Sequence, residues 1–164
     1  MKKPFLLREY LLVRTPWLND DPNRLATFIE NGSIVSKGDG SLPSSSLCYE
    51  QQYTLTIIVL DFPGGPEEIF VPILEWLQTH QPDLMHNPDW QKTGFSFDAE
   101  VIDNDLYDLT VSLQLTERMI ASVKDANATI SAERYEVKNS DEPQYVDLLH
   151  VINGIHPGID PTQP

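Results

Sequence analysis

The sequence has little of what several common protein classes depend on. Its single cysteine, Cys48, cannot form an internal disulfide, which is typical of a protein in a reducing compartment. No apolar run approaches the roughly 20 residues that a membrane-spanning helix needs. Arg8, Glu9 and Arg14 interrupt the stretch after the N-terminal Met-Lys-Lys, so a signal peptide is not expected. We therefore expect a soluble, intracellular protein that does not associate with membranes.

Basic side chains are also scarce. The 164 residues include 11 Lys and Arg against 25 Asp and Glu, which gives a net charge of −14. The imbalance is uneven, because residues 1–37 hold six basic and four acidic side chains and the rest of the chain holds five and twenty-one. Since so acidic a chain repels the phosphate backbone at long range, we expect no sequence-specific binding of nucleic acid.

The sequence has no recognisable catalytic or cofactor motif. Gly38-Asp39-Gly40 lacks the third glycine and the following helix of a phosphate-binding loop, and no Gly-x-Ser-x-Gly segment is present. The four histidines show none of the spacings that bind zinc; they are His80, His86, His150 and His156. We expect no catalytic residue, no metal site and no cofactor.

One acidic cluster leaves an alternative open, a small metal-dependent enzyme. Its five carboxylates are Asp98, Glu100, Asp103, Asp105 and Asp108. A calcium loop starting at Asp103 would need glycine at its sixth position and glutamate at its twelfth, where the sequence has Asp108 and Gln114. A solvated acidic face is therefore the favoured interpretation, with the enzyme as the alternative.

The most informative stretch runs from Tyr49 to Thr79. Its first part alternates apolar and polar residues as far as Thr56 and continues as an apolar run from Ile57 to Leu60, which predicts a half-buried strand. Pro63-Gly64-Gly65-Pro66 ends that strand. An apolar stripe at helical spacing follows; its members are Ile69, Phe70, Ile73, Leu74 and Leu77. A long strand and an amphipathic helix that packs back on it predict a two-layer domain.

Two further elements precede this stretch. Phe5–Leu18 is predicted to form a helix with a wide apolar stripe. The main line of the stripe is Leu6, Tyr10, Val13 and Trp17, and Leu7, Leu11 and Leu18 lie beside it. Leu25–Lys37 is predicted to form a hairpin, since Asn31-Gly32 favours a type I′ turn. That turn would place two apolar pairs opposite each other, Phe28 with Val35 and Ile29 with Ile34.

The clearest hairpin is Phe95–Leu115. With Asp103–Asp105 as its loop, three pairs face each other across the strands on the inward side; they are Val101 with Tyr107, Ala99 with Leu109, and Phe97 with Val111. Glu100 then lies opposite Asp108, and Thr129–Val137 adds a short edge strand. The predicted fold class is α/β (α+β), a largely antiparallel or mixed sheet packed by two helices. We expect a single domain over residues 1–137 and a proline-containing C-terminal tail over residues 138–164.

Several short segments occur together in an order that resembles a known family. In chain order they are Asn31-Gly32-Ser33, Tyr53-Thr54-Leu55, Asp61-Phe62, Val71-Pro72-Ile73-Leu74-x-Trp76-Leu77, Gln81-Pro82-Asp83, Gly94-Phe95, Asn104-Asp105 and Leu115-Thr116-Glu117-Arg118. Over roughly residues 1–122 the chain resembles the tail completion protein R family of Peduovirus-type contractile-tailed phages and prophages. No single segment is diagnostic, but the collinear set is specific.

The resemblance implies a structural protein with a tail-terminator-like fold. Such a protein caps the tail tube and sheath and prepares the tail for joining the head, and proteins of this kind form rings, commonly hexamers. Its expected partners are further copies of itself, tube and sheath proteins and head–tail connector proteins. Its expected location is the cytoplasm of the bacterial host during assembly and then the virion tail. A neck adaptor between head and tail is the alternative within the same class.

We expect partner contacts at two segments. The first is a loop that is rich in glycine and serine, and the second is an apolar island in the C-terminal tail. The residues assigned to them are Lys37, Gly38, Asp39, Gly40 and Ser41, then Leu148, Leu149, Val151 and Ile152. The basic residues near the N-terminus were candidates for pairing with a neighbour's acidic surface; they are Lys2, Lys3, Arg8 and Arg14.

Overall fold

A computed structural model describes residues 1–37, 46–89, 92–103 and 106–140 of the chain. The elements in order are α1 (Lys3–Arg14), α2 (Pro16–Asp20), a 3₁₀ turn (Pro22–Arg24), β1 (Leu25–Ser36), β2 (Ser46–Phe62), α3 (Glu67–His80), α4 (Pro82–His86), β3 (Phe95–Asp103), β4 (Leu106–Val123), α5 (Ser131–Arg134) and β5 (Tyr135–Asn139).

The fold is built on the long antiparallel pair of β2 and β4. Side chains alternate between the two faces of a strand, and β2 carries apolar residues on one face from Tyr53 to Val59. The sheet order is β1-β2-β4-β3, and β5 pairs with the C-terminal part of β4. Every described pairing is antiparallel. β1 and β3 therefore form opposite edges of the sheet.

The helices α1 and α3 pack on one face of this sheet, which we call the helix face. It is the face of Leu55 and Leu113, both fully buried. The helices contribute their own apolar stripes to the core, which includes Leu7, Leu11, Ile69, Ile73, Trp76 and Leu77. Burying roughly ten such side chains is the main source of stability, at about 1.5–3 kcal/mol for each relative to exposure.

The opposite face, which we call the polar face, carries hydroxyl, amide and charged side chains. Thr56 Oγ1 donates to Glu30 Oε2 at 2.7 Å, and Gln114 Nε2 donates to Thr54 Oγ1 at 3.1 Å. These hydrogen bonds link β1 to β2 and β2 to β4. The polar face thus stabilises the strand order through side chains without an apolar layer of its own.

Much of the predicted architecture is confirmed. The α+β fold class is correct, and all four predicted pairs of the β3–β4 hairpin occur, including Glu100 opposite Asp108. The α3 helix forms where its stripe predicted, and Pro72 lies inside it, since the helix begins at Glu67. Tyr53, Leu55, Ile57 and Val59 are buried as the alternation indicated.

The predicted hairpin at Asn31-Gly32 is wrong. Leu25–Ser36 is one strand that pairs with β2 along its whole length, so Phe28 is opposite Thr56 and Val35 is opposite Glu50. Asn31 adopts φ of 51°, and the register shifts by one residue between Glu30 and Ser33. Asn31 and Gly32 therefore form a β-bulge instead of a turn. The reason is that β2 is long enough to pair with the residues on both sides of them, whereas a hairpin would pair these two short halves only with each other.

The first helix also differs from expectation. It ends at Arg14, and Pro16 starts a second short helix. Of the predicted stripe, Leu7, Leu11 and Leu18 are buried, whereas Leu6 and Val13 of the expected main line are 42% and 79% exposed. Apolar residues occupy more than half of the circumference of this helix, so spacing alone did not select the buried side.

The last strand starts later than predicted. Ser131–Arg134 forms a helical turn, and the strand covers Tyr135–Asn139. It pairs with β4 from Met119 to Val123, so Lys138 and Asn139 belong to the sheet.

Candidate assembly surfaces

The edge formed by β3 is apolar on the helix face. Phe97 is 54% exposed and Val101 is 64% exposed, because α3 covers this edge of the sheet only in part. Phe70 of α3 contacts both phenylalanines, with ring centroids 5.9 Å from Phe95 and 4.6 Å from Phe97. A groove of about 380 Å³ opens beside them; its lining is Phe70, Leu74, Leu84, Met85, Phe95 and Phe97. We call this edge and its groove the β3 surface.

The edge formed by β1 is exposed along most of its 12 residues. Its exposed apolar side chains are Phe28 (51%), Ile29 (43%), Ile34 (71%) and Val35 (37%). The register places Ile29 and Ile34 on the helix face and Phe28 and Val35 on the polar face. We call this strand edge the β1 surface. An exposed, apolar edge strand is a template for pairing with another chain.

The two surfaces differ in the charge of the segments that flank them. The segment from α1 to β1, residues 1–37, has six basic and four acidic side chains. The segment from α3 to β3, residues 67–103, has one basic and eight acidic side chains. α1 contacts β1, and α3 contacts β3 through Phe70, so the two segments reach opposite edges of the sheet.

A buried carboxylate ties three parts of the chain together on the helix face. Glu117 is fully buried, and it accepts hydrogen bonds from three donors. Tyr53 Oη donates at 2.5 Å, the backbone N–H of Lys2 at 2.9 Å and Asn139 Nδ2 at 2.7 Å. The start of α1, the strand β2 and the end of β5 therefore meet at this one side chain.

The environment of Glu117 suits a structural role. Burial and the neighbouring Glu117 carboxylate raise the pKa of Tyr53 above its ordinary value, so its hydroxyl stays a donor at all physiological pH values. Glu117 has no exposed surface through which a substrate could reach it. The sequence did contain a signal for this group: Glu117 continues the inward-facing positions Leu113 and Leu115 of an alternating strand. An acidic residue at such a position needs buried donors.

Most of the predicted contact residues lie outside the described part of the chain. Gly38, Asp39, Gly40 and Ser41 do, and so do Leu148, Leu149, Val151 and Ile152. Lys37 is described and exposed; its Nζ lies 3.6 Å from Glu50 Oε2, and its N–H donates to the carbonyl of Cys48. The lysine therefore holds the end of β1 against β2.

The basic residues near the N-terminus are engaged within the molecule. Lys3 is 6% exposed, and its Nζ donates to Gln81 Oε1 and to the carbonyl of Thr116. Arg14 forms an ion pair with Glu75 at 3.0 Å, and Arg8 donates to the carbonyl of Pro22. A role for Lys3 in contacting a neighbour is therefore wrong, since a buried ammonium group cannot reach another chain.

The acidic cluster does not assemble into a metal centre among the residues that the structure describes, where no three His, Cys, Asp or Glu side chains converge. Glu100 and Asp108 lie opposite each other on neighbouring strands, and Asp108 Oδ1 accepts the N–H of Asp61 at 2.8 Å. Asp105 and the side chain of Asp103 are outside the described part. The described carboxylates give no support to the metal-enzyme alternative.

No helix in the described ranges combines the length and the apolar character that crossing a bilayer requires.

Comparisons with known proteins agree with one another. The family model for P2 phage tail completion protein R (GpR) matches residues 1–143. The chain is 38% identical over 143 residues to tail completion protein R of Escherichia phage P2, and the match covers 87% of this chain and 84% of that protein. No solved structure matches the chain.

Proposed function

The chain belongs to the P2 phage tail completion protein R family, and from this membership we propose that it completes a phage tail as one subunit of a ring. A structural role in tail completion follows from the family. The ring is our proposal, with six subunits as the expected number to match the symmetry of a tail tube. It would cap the tube and sheath and leave the tail ready to join the head.

One observation carries this proposal: the two opposite edges of one sheet both carry exposed apolar side chains. A ring needs a heterologous contact, in which two different surfaces of each subunit meet. The β1 surface and the β3 surface are two such surfaces, and the flanking segments differ in charge. A subunit of this shape can act through surface complementarity alone, so the role requires no turnover of a substrate.

The partners of this chain include other tail components. We propose that these are the tube and sheath proteins below the ring and the connector proteins above it. Lys37–Ser41 and the residues Leu148, Leu149, Val151 and Ile152 are proposed contact points for them. Assembly is proposed to take place in the cytoplasm of the host before the subunit becomes part of the virion tail.

Imaging of tails tests this function. Tails assembled without the protein should fail to join heads, and adding the purified full-length chain should restore joining. Electron microscopy of the restored tails should show added density at the head-proximal end with a rotational symmetry that gives the subunit number. Tails that join heads normally without the protein would contradict the proposal. Density inside the neck, separate from the tube, would favour the adaptor alternative.

A further inference from the structure

We propose that neighbouring subunits join by direct strand pairing, with β1 of one copy hydrogen-bonded to β3 of the next, so that one antiparallel sheet runs around the assembly. This inference rests on the proposed ring and specifies its interface. The β1 surface of one copy therefore binds the β3 surface of a second copy of this chain.

The directions of the strands suit this contact. Four strands paired antiparallel in the order β1-β2-β4-β3 leave two edges that run in opposite directions. A copy related by rotation about an axis roughly parallel to the strands keeps its strand directions. Its β1 therefore meets the neighbour's β3 antiparallel, and the helix faces of both copies lie on the same side. Unpaired N–H and C=O groups of the two edges can then bond to each other.

The two edges also match in their position along the strand direction. A regular block of five rows crosses the whole sheet, from Leu25–Ile29 of β1 to Phe95–Ala99 of β3. The bulge at Asn31 lies beyond this block, so it leaves these rows regular. A copy at the same level would place Leu25 opposite Ala99, Thr27 opposite Phe97 and Ile29 opposite Phe95 on the helix face. Two of these pairs, Thr27 with Phe97 and Ile29 with Phe95, join a β-branched to an aromatic residue, and such cross-strand pairs stabilise sheets.

Charge selects this arrangement over a symmetric one. If β3 paired with β3 of another copy, Asp98 and Glu100 would lie near their own equivalents, and like charges across strands are destabilising. In the heterologous contact Asp98 lies opposite Ala26, so this pairing of like charges does not arise. Charge therefore disfavours pairing of β3 with β3 and leaves alternation of the two edges around a ring.

Disulfide trapping tests the contact. The full-length chain with Cys48→Ala, Ala26→Cys and Asp98→Cys is added to tails assembled without the protein, and the mixture is oxidised mildly. Cross-strand neighbours have Cα atoms about 4.5–5.5 Å apart, which a disulfide can bridge. We expect a ladder of cross-linked species on a non-reducing gel, ending at the subunit number of the ring. The single-cysteine variants Ala26→Cys and Asp98→Cys, each with Cys48→Ala, should give no ladder.

A second pair covers a shift of the contact by two residues, which keeps each side chain on its face. Phe28→Cys with Asp98→Cys probes this register, and because Phe28 is 51% exposed its replacement leaves the core intact.

A ladder from either pair supports strand pairing between β1 and β3. Rings seen by microscopy without a ladder from either pair would overturn the interface and leave the ring itself standing. Dimers from Ala26→Cys alone would also overturn it, in favour of symmetric pairing of β1. Absence of rings with the wild-type chain would refute the proposed ring, whereas the head-joining assay tests the role in tail completion.

Discussion

At the scale of single residues, Glu117 has the largest consequences. Its carboxylate accepts hydrogen bonds from Tyr53, from the backbone of Lys2 and from Asn139, which come from three distant parts of the chain. Hydrogen bonds to a charged acceptor contribute about 1.5–3 kcal/mol, and removal of the acceptor leaves buried donors unsatisfied. The side chain thus fixes the start of α1 and the end of β5 to the central strands β2 and β4.

We predict that Glu117→Ala lowers the free energy of unfolding by about 3–5 kcal/mol, because it removes the acceptor of three donors, and each buried donor left unsatisfied costs about 1–3 kcal/mol. Denaturation in urea measures this loss. The exposed Glu100→Ala is the matched control on the neighbouring strand, and its effect should be below about 0.5 kcal/mol. Equal stability of the two variants would mean that the three donors find other acceptors.

A second prediction concerns Tyr53 and pH. Its raised pKa means that the folded state keeps the phenolic proton at pH values where the unfolded state, with an ordinary pKa of about 10, loses it. Stability therefore falls as the pH rises above about 10, by about 1.4 kcal/mol per pH unit for this one group. Tyr53→Phe removes this dependence.

Below pH 10 the difference in unfolding free energy between wild type and Tyr53→Phe should be constant at about 1.5–3 kcal/mol, the value of the lost hydrogen bond. Above pH 10 it should shrink. Urea denaturation at several pH values gives both numbers. Tyr49→Phe, on the same face of β2, is the control, because Tyr49 is not among the donors to Glu117. A parallel pair of curves for wild type and Tyr53→Phe up to pH 11 would contradict the prediction.

At the scale of elements, alternation determined most of what the sequence could predict. The pairs of the β3–β4 hairpin were predicted correctly, because alternation put Phe97, Ala99 and Val101 on one side and the loop assigned to Asp103–Asp105 set the register. The same residues were expected to face inward, and they do lie on the helix face, yet α3 leaves Phe97 and Val101 exposed. How far a helix layer extends is set by packing between distant segments, which no local pattern contains.

The segment at Asn31-Gly32 shows the opposite case. Positive φ is common to a type I′ turn and to a bulge, so the local signal did not distinguish the two. Only the presence of β2, long enough to pair with both halves, decides between them. The hydrogen bonds of Glu117 could likewise be predicted only in part. The alternation of β4 shows that this side chain faces inward, but its donors Lys2 and Asn139 are more than 20 residues away in the chain.

The bulge leads to a third prediction. Asn31→Val should lower the free energy of unfolding by about 1–2 kcal/mol, because a β-branched residue is strained at a φ of 51°. Asn31→Gly should change it by less than about 0.5 kcal/mol, since glycine adopts this conformation freely. Urea denaturation compares the two, and Ser33→Val, just after the bulge, is the control. Destabilisation by glycine as large as that by valine would show that strain at positive φ is not the cause.

At the scale of the whole molecule, the two exposed edges predict where substitutions block function without unfolding the chain. Phe28→Lys on β1 and Ser96→Lys on β3 each place a charge at an exposed position inside the rows that the proposed contact pairs. Both should leave the free energy of unfolding within about 0.5 kcal/mol of wild type. Both should abolish restoration of head joining in the tail assay, because a charge at an edge opposes strand pairing. Val13→Lys, 79% exposed on α1, is the control and should restore joining.

The last prediction concerns where the folded unit ends. The sequence predicted a domain over residues 1–137, while β5 extends to Asn139 and the family match extends to residue 143. A chain that ends at residue 137 loses the hydrogen bond from Asn139 to Glu117 and the last pairings with Met119 and Ile120. We expect it to be less stable than the full chain by about 2–3 kcal/mol, mainly because the buried carboxylate loses one of its donors.

A chain that ends at residue 143 keeps all of these contacts, so its free energy of unfolding should match that of the full chain. If the C-terminal residues Leu148, Leu149, Val151 and Ile152 are partner contacts, this stable truncation should nevertheless restore head joining less well than the full chain does. Urea denaturation and the tail assay on the two truncations separate the roles of the segments, because the first change acts on folding and the second on assembly. Full joining activity from the chain that ends at residue 143 would remove the C-terminal segment from the set of contact sites and leave the β1 and β3 surfaces.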